Sequence, residues 1–176
     1  MDECTIEPKQ AVHHSDLVAL IASIYKPKTY VELGLHHGET WNKTTPFCEK
    51  SYGVDIVDNK VEGNVFIGTT DEFFEDFNQE IDMAFIDADH SFKSCLKDFL
   101  NCHKRMARDG VILLHDTDPI SDDYISPGRC GDCYKIIPII ESDFANDLNI
   151  ITMPVQEAGL SIVTRKRSTR ASLRNL

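Results

Sequence analysis

Two glycines and a carboxylate stand at the spacing of a nucleoside-binding unit. Gly34 ends a short apolar run, Gly38 follows four residues later, and Asp55 ends the next short strand. A side chain at either glycine would keep a ligand away from the backbone or force an unfavourable φ. Backbone N–H groups and a helix N-terminus would then face the ligand, while Asp55 accepts two ribose hydroxyls. The pattern predicts a nucleoside site, although an ordinary strand-to-helix turn can also contain these glycines.

The residues around these glycines narrow the class of ligand. The spacing is Gly-x-x-x-Gly, whereas dinucleotide enzymes have Gly-x-Gly-x-x-Gly. Glu32, which precedes the first glycine by two positions, suits a cationic or hydroxyl-bearing ligand better than a pyrophosphate. No Tyr-x-x-x-Lys sequence is present, so a nicotinamide dehydrogenase is the least favoured class of enzyme.

Five of the predicted strands run into acids, histidines or threonine at their carboxyl ends. Residues 81–86 and 111–114 are nearly continuous apolar runs, as expected of buried parallel strands. The polar positions are Glu32, Asp55, Thr70 with Asp71, Asp87 to His90, and His115 with Asp116. Ligands of open parallel sheets bind beyond the carboxyl ends of the strands. The sequence therefore predicts a binding site at this edge, and a catalytic one.

The elements that must position these residues alternate between strands and helices. We predict a helix over 15–25 with Ser15 as its N-cap and Leu17, Leu20, Ile21 and Ile24 on its buried face. Further helices are predicted over 39–50, starting at 71, starting at 92 and over 134–144. The helix that starts at 92 is expected to be capped by Ser91 and closed by Gly110. Strands are also predicted over 30–33, 52–54, 64–67, 149–153 and 160–164. Phe73, Phe74 and Phe77 are expected in the core. This order predicts a single Rossmann-like, doubly wound α/β sheet, mostly parallel with an antiparallel last strand and helices on both faces.

Composition limits the class of protein. With 176 residues, 41% of them hydrophobic and 27% charged, one globular domain is expected over 1–166, followed by a flexible basic tail over 167–176. No apolar run has the length of a membrane span and no signal peptide is recognisable, so we expect a cytoplasmic protein with no membrane partner. The net charge of −11 includes five cationic residues from Arg165 onward, so the residues before Arg165 carry a net charge of about −16. Because so acidic a domain repels phosphate groups, we expect no nucleic-acid partner.

The cysteines do not form an obvious metal or disulfide framework. Cys95 and Cys102 lie seven residues apart on an apolar helix face and are expected in the core. Cys130 and Cys133 have the Cys-x-x-Cys spacing, but no second such pair is present to complete a zinc site. We expect them to shape the loop over 120–131.

Three motifs together carry a resemblance to a known family. They are Val31-Glu-Leu-Gly-Leu-His-His-Gly38, Phe85-Ile-Asp-Ala-Asp-His-Ser-Phe92 and Leu113-Leu-His-Asp116. The chain resembles the class I S-adenosylmethionine-dependent methyltransferases, in particular a small O-methyltransferase-like branch with Asp-x-Asp-His-Ser and His-Asp motifs. The resemblance spans roughly residues 16–166.

The resemblance implies how S-adenosyl-L-methionine is bound. Glu32, Gly34 and Gly38 would shape the pocket for the methionine part, with His36 in the same loop and Asp87 at its border. Asp55 would hold the ribose hydroxyls and Ile56 would lie against the adenine face. Thr70 and Asp71 would contact the adenine edge.

The resemblance also implies a divalent metal ion and an acid–base group. In catechol-type and macrolide-sugar relatives such an ion is held by acids after the fourth and fifth strands, the positions of Asp87 and Asp116. His115 or Thr117 would supply a third ligand; the catechol type has Asn at the position of Thr117. This set of donors suits Mg²⁺. The candidate catalytic residues are His90 and His115. His90 occupies the position at which the catechol type has a basic lysine. His90 can alternatively be a helix-start residue satisfied by a neighbouring carboxylate.

The same resemblance points to an oxygen acceptor. The acid-rich segment Asp87 to His90 argues against amine methyltransferases, which carry Asn-Pro-Pro-Tyr-like residues there. A small-molecule or glycan hydroxyl would be recognised by the N-terminal helix, the loop over 120–131 or a second subunit of a homo-oligomer. Two alternatives remain: a degenerate cofactor-binding protein, and a metal-dependent hydroxylase-like enzyme on the same fold. His13, His14 and His103 are expected to be surface or core histidines.

Overall fold

The computed structural model describes residues 12–166, which form seven strands and five α-helices. In chain order these are α1 (His14–Tyr25), β1 (Thr29–Leu33), α2 (Glu39–Thr44), β2 (Lys50–Asp55), β3 (Val65–Ile67), α3 (Thr70–Asp76), β4 (Ile81–Ile86), α4 (Phe92–Arg105), β5 (Met106–His115), α5 (Ile136–Asp143), β6 (Leu148–Met153) and β7 (Leu160–Arg165). Short 3₁₀ turns lie at Thr45–Phe47, Asp122–Ile125 and Cys133–Lys135. The predicted basic tail, 167–176, lies outside the described residues. Within 12–166 no helix has both the length and the apolarity needed to cross a bilayer.

The strands form one sheet in the order β3-β2-β1-β4-β5-β7-β6. All neighbouring pairs from β3 to β5 are parallel, whereas β7 runs antiparallel to both β5 and β6. The prediction of a mostly parallel sheet with an antiparallel last strand is therefore confirmed. The strand order reverses direction between β1 and β4, and such a switch point opens a crevice beyond the carboxyl ends of those two strands.

Both faces of the sheet are covered, so the central strands are buried on both sides. One core cluster contains Val31, Leu33 and Ile86 with the buried faces of α3, α4 and α5, and the other contains Tyr30, Met83 and Phe85 with α1 and α2. This explains the continuous apolar sequence of β4. Phe73, Phe74, Phe77, Cys95 and Cys102 are all buried, as predicted.

The apolar face predicted for α1 is buried only in part, since Leu17 and Ile21 pack against the second core cluster. Val18 and Ala22 are fully buried, whereas Leu20 and Ile24 are 54% and 77% exposed. The N-cap is His13, whose ring nitrogen accepts from the Ser15 N–H, so the prediction of Ser15 as the cap was wrong. Ser15 is buried instead, with its hydroxyl donating to Glu39 Oε1 at 3.1 Å.

Two predicted helix ends were also wrong. The helix after Gly38 ends at Thr44, not near Lys50, because Pro46 has no N–H to continue the hydrogen bonding and the chain tightens into a 3₁₀ turn. The helix before Gly110 ends at Arg105, whose guanidinium donates to the carbonyls of Phe77 and Phe74. Gly110 lies inside β5, where the register against β4 shifts between Ile81 and Met83.

Candidate active site

The turn after β1 needs glycine for a steric reason. Gly34 and Gly38 have φ of +86° and +76°, a region that L-residues rarely adopt. A Cβ on Gly34 would overlap the backbone carbonyl of Asp87, at the end of β4. The turn is therefore packed directly against the tip of the neighbouring strand, at the switch point of the sheet.

Asp55 holds this turn in place. Its Oδ2 accepts from the N–H groups of Leu35 and His36, each at 2.9 Å, and its Oδ1 accepts from the Val57 N–H at 2.9 Å. An ionised carboxylate offers about four lone-pair positions. In this conformation the carboxylate has room for one further donor, whereas the sequence predicted two ribose hydroxyls.

A pocket of about 200 Å³ opens beside this turn. Its lining residues are Leu35, His36, Val57, Asp58, Asn59, Val61, Gly63, Val65 and Ile67. Sites for whole small molecules measure about 300–1,000 Å³, so this volume suits one ring system of a larger ligand. Ile56 lies outside the lining and its side chain is 72% exposed, so its contact with adenine stays a prediction.

Thr70 and Asp71 are engaged with α4. The Thr70 hydroxyl is hydrogen-bonded to Asp98, and Asp71 forms an ion pair with Lys97. Both belong to the first turn of α3, which begins beyond the tip of β3. Their contact with an adenine edge stays a prediction.

Glu32 lies beneath the turn rather than on its surface. The residue is 1% exposed, and its Oε2 accepts from the Tyr30 hydroxyl at 2.6 Å. Burial raises the pKa of Glu32 to about 8, and the hydrogen bond from Tyr30 opposes the shift only in part. The carboxyl group is therefore neutral at pH 7 and acts as a buried hydrogen-bonding group at the base of the site.

The raised pKa of Glu32 predicts a pH-dependent stability. The folded state holds this proton more tightly than the unfolded state, so the stabilisation is full below about pH 4.5 and is lost as pH rises through about 8. Glu32→Gln keeps the neutral form at every pH. We expect the melting temperature of the wild type to fall relative to that of Glu32→Gln between pH 5 and pH 9. Parallel melting curves across this range would contradict the raised pKa.

Two aspartates and two histidines converge at the carboxyl ends of β4 and β5. His115 Nδ1 lies 3.0 Å from Asp87 Oδ1 and 3.4 Å from Asp116 Oδ1. His90 Nε2 lies 3.3 Å from Asp116 Oδ2 and 3.7 Å from Asp87 Oδ1. One ligand atom from each of Asp87, His90 and Asp116 falls within 4.8 Å of the others, a spacing at which they could share one metal ion. We name these three residues the Asp–His cluster.

Two atoms of this region are buried without a hydrogen-bond partner among the described residues. They are Asp116 Oδ2 and His115 Nε2. The Asp116 side chain is 5% exposed, and its backbone has φ of +60°, which is unusual for a non-glycine residue. Strained backbone together with an unpaired buried oxygen is typical of functional sites, since a folded protein otherwise satisfies such groups.

Burial and mutual charge shift the pKa values of the carboxylates in opposite directions. Burial alone would raise the pKa of Asp87, but the adjacent His115 outweighs it and lowers the value. Burial and the charge of Asp87 raise the pKa of Asp116. The pKa of His115 is raised, because the two carboxylates outweigh burial. Opposite shifts in neighbouring titratable groups are common where protons are moved.

Comparison with known proteins identifies the family. Residues 29–117, half of the chain, match the family described as Methyltransferase domain. The chain belongs to this family. The matched range begins with β1 and ends just after β5, so it includes the glycine turn, Asp55 and the Asp–His cluster. No curated protein matches the sequence significantly.

Solved structures place this methyltransferase in the class I fold at low sequence identity. The O-methyltransferase TomG of tomaymycin synthesis from Streptomyces achromogenes, in complex with S-adenosylmethionine, is 13% identical with a TM-score of 0.66 over 91% of this chain and 83% of that chain. An O-methyltransferase from Bacillus cereus with S-adenosylhomocysteine is 12% identical, with a TM-score of 0.66 over 94% and 84%. An rRNA methylase from Streptococcus thermophilus is 10% identical, with a TM-score of 0.65 over 92% and 99%.

The third member of the Asp–His cluster differs from the prediction. The sequence suggested His115 or Thr117 as the third metal ligand, but the methyltransferase brings His90 to this position. The Thr117 hydroxyl is buried and accepts from Ser161 Oγ at 2.8 Å. His115 Nδ1 is committed to Asp87.

Two residues near the Asp–His cluster, His14 and Cys130, were not assigned to the site from sequence. The His14 ring lies 4.1 Å from the His115 ring and its Nδ1 is 2.9 Å from Gln156 Oε1, whereas we expected a surface or core histidine. Burial and His115 lower the pKa of His14 to about 4, so the ring is neutral. The buried Cys130 side chain adjoins the Asp116 carboxylate. No local pattern connects these residues, because they lie far apart along the chain.

Proposed function

We propose that this methyltransferase transfers the methyl group of S-adenosylmethionine to a hydroxyl oxygen of a small molecule or glycan. The observation that carries the proposal is the Asp–His cluster, which lies at the carboxyl ends of β4 and β5. The glycine turn packs on the backbone of Asp87, so the cofactor region and the cluster share one edge of the sheet. An oxygen acceptor must lose a proton during transfer, and the cluster supplies groups that can hold it.

The glycine turn and Asp55 form the proposed cofactor site. The cofactor supplies an electrophilic methyl group on a sulfonium. Asp55 orients the turn through the N–H groups of Leu35 and His36, also accepts from the Val57 N–H, and has one position left for a ribose hydroxyl. The apolar side chains of the adjoining pocket, among them Leu35, Val57 and Val61, suit one face of the adenine ring. Gly34 allows the turn to pack against the backbone of Asp87, which brings the turn to the tip of β4.

His115 is the proposed proton acceptor. Its Nδ1 donates to the Asp87 carboxylate, which holds the ring and leaves Nε2 as the free position. An imidazole held through Nδ1 by a carboxylate is the arrangement that acid–base catalysis uses in other enzymes. His90 was the candidate base from sequence, but its Nε2 faces the two carboxylates and is better placed to act with them.

A divalent cation fits the same cluster. The unpartnered Asp116 Oδ2 and the convergence of Asp87, His90 and Asp116 are what such an ion requires. These three residues would hold it, and it would lower the pKa of a coordinated acceptor hydroxyl. His14 of α1 and Cys130 of the 120–131 loop border the cluster, which supports these two segments as parts of the acceptor site.

Matched acceptors test this proposal. Pairs of compounds that differ only in a hydroxyl or an amine, together with a structured RNA, are incubated with the protein and isotopically labelled S-adenosylmethionine. We expect label on oxygen in hydroxyl compounds only. Labelled amines or RNA would contradict the oxygen acceptor. S-adenosylhomocysteine binding with no transfer to any acceptor would favour a degenerate cofactor-binding protein.

A further inference from the structure

The geometry points to a divalent first-row transition ion, rather than Mg²⁺, as the ion of the Asp–His cluster, with His90 Nε2 as a direct ligand. The role of this ion in methyl transfer rests on the proposed function. The selectivity for the ion does not, because metal binding can be measured without cofactor or acceptor. Three independent features of the described residues carry it: the tautomer of His90, the spacing of the ligand atoms and the unpaired oxygen of Asp116.

The tautomer of His90 follows from its contact with the backbone. His90 Nδ1 contacts the carbonyl oxygen of Arg129. A carbonyl oxygen can only accept, so Nδ1 carries the proton and the neutral ring has its lone pair on Nε2. A histidine that binds metal through one nitrogen commonly donates its other N–H to such a carbonyl, which fixes the ring.

The chain around Arg129 is itself attached to His90. The Asp132 N–H donates to the His90 carbonyl at 3.0 Å, and the Asp132 carboxylate accepts from the Phe92 N–H at the start of α4. Gly131, with φ of +56°, packs so closely on His90 that a Cβ would overlap its carbonyl. The loop is therefore fixed to the His90 backbone, and its Arg129 carbonyl contacts Nδ1 while Nε2 faces the two carboxylates.

The distances from His90 Nε2 to the two carboxylate oxygens are close to those between ligands of one ion. His90 Nε2 lies 3.3 Å from Asp116 Oδ2 and 3.7 Å from Asp87 Oδ1. Ligands at about 2.0–2.2 Å from one ion, at angles of roughly 90–110°, lie about 3–3.6 Å apart. Asp87 Oδ1 also accepts from His115 Nδ1, whereas Asp116 Oδ2 has no hydrogen-bond donor among the described residues and can take a cation.

The nitrogen ligand decides the class of ion. Mg²⁺ takes oxygen ligands in near-octahedral geometry and retains several waters, so an imidazole is a poor ligand for it. Zinc, iron, nickel and other late first-row ions accept imidazole nitrogen and carboxylate oxygen together. One imidazole and two carboxylates therefore favour such an ion over Mg²⁺. The Mg²⁺ expected from the sequence assumed two carboxylates and a neutral third donor, either His115 or Thr117.

Calorimetric titration of chelator-treated protein with Co²⁺ and with Mg²⁺ tests the selectivity. We expect the wild type to bind Co²⁺ at least about 100-fold more tightly than Mg²⁺. His90→Asp makes all three ligand atoms oxygen, so we expect it to reduce the ratio of the two affinities by about tenfold or more. His103→Gln removes a histidine of α4 that lies outside the cluster, and should leave the ratio unchanged. An equal ratio in wild type and His90→Asp, or a wild type that binds neither ion, would overturn the inference.

A spectroscopic measurement on the wild type avoids any dependence on the folding of the variant. With Co²⁺ bound, a ligating His90 should give a paramagnetically shifted, exchangeable proton resonance from its Nδ1–H, and Mg²⁺ should give none. Absence of this resonance at saturating Co²⁺ would show that His90 is a protonated ion-pair partner instead. Titration with S-adenosylhomocysteine in the same samples separates the two proposals, since loss of cofactor binding would contradict the methyltransferase function and leave the metal result standing.

Discussion

Asp87→Asn is expected to reduce methyl transfer by about 10²–10⁴-fold, the usual range for loss of a positioned acid–base system. The substitution keeps the shape of the side chain and removes its charge. His115 loses the carboxylate that lies 3.0 Å from its Nδ1, and the Asp–His cluster loses one of its two negative ligands. Steady-state rates with an acceptor found by the matched screen would measure the effect.

The same variant should leave S-adenosylhomocysteine binding close to that of the wild type. The contact of Asp87 with the glycine turn is through its backbone carbonyl, while its carboxylate faces His115. Asp89→Asn is the matched control, since Asp89 accepts from Ser91 and Ser94 at the start of α4 and lies outside the cluster. A large loss of cofactor affinity in Asp87→Asn, with transfer unchanged at saturation, would reverse the assignment.

Asp55→Asn is expected to weaken S-adenosylhomocysteine binding by about 10–100-fold, as expected when hydrogen bonds to a charged group are lost. The amide has one acceptor oxygen, so it cannot serve the N–H groups of Leu35, His36 and Val57 at once. The turn would therefore lose its orientation, and the ligand would lose the hydrogen bond between its ribose and residue 55. Calorimetry measures the affinity, and thermal unfolding shows whether the fold is retained.

Glu75→Gln provides the control for charge. Glu75 is an exposed residue of α3, and its substitution removes one negative charge without touching the glycine turn. Its affinity for S-adenosylhomocysteine should match that of the wild type. Equal weakening in both variants would mean that the overall charge, and not the Asp55 contacts, governs binding.

The local elements of the fold could be predicted because their causes lie within a few residues. The buried strand β4 was predicted at the bounds that the structure has, since its apolar run is continuous and both of its faces are covered. The helix after Ser91 was placed by a capping residue followed by an apolar periodicity. The errors at Gly110 and Ser15 arose where a long-range contact outweighed a local preference. Gly110 lies in β5 at the irregular stretch between the β4 partners Ile81 and Met83, and Ser15 is buried against α2 residues.

The order of residues alone establishes that acids, histidines and glycines occur at the ends of successive strands, and the parallel α/β order requires those ends to share one edge. That requirement is sufficient to bring Asp87 and Asp116 together. The packing of distant segments sets the rest: His90, rather than His115 or Thr117, completes their cluster, and His14 lies against His115. These outcomes depend on side-chain direction and on contacts between distant segments, such as the Arg129 carbonyl that orients His90. No periodicity or spacing along the chain records such contacts, because they are set by how the elements pack.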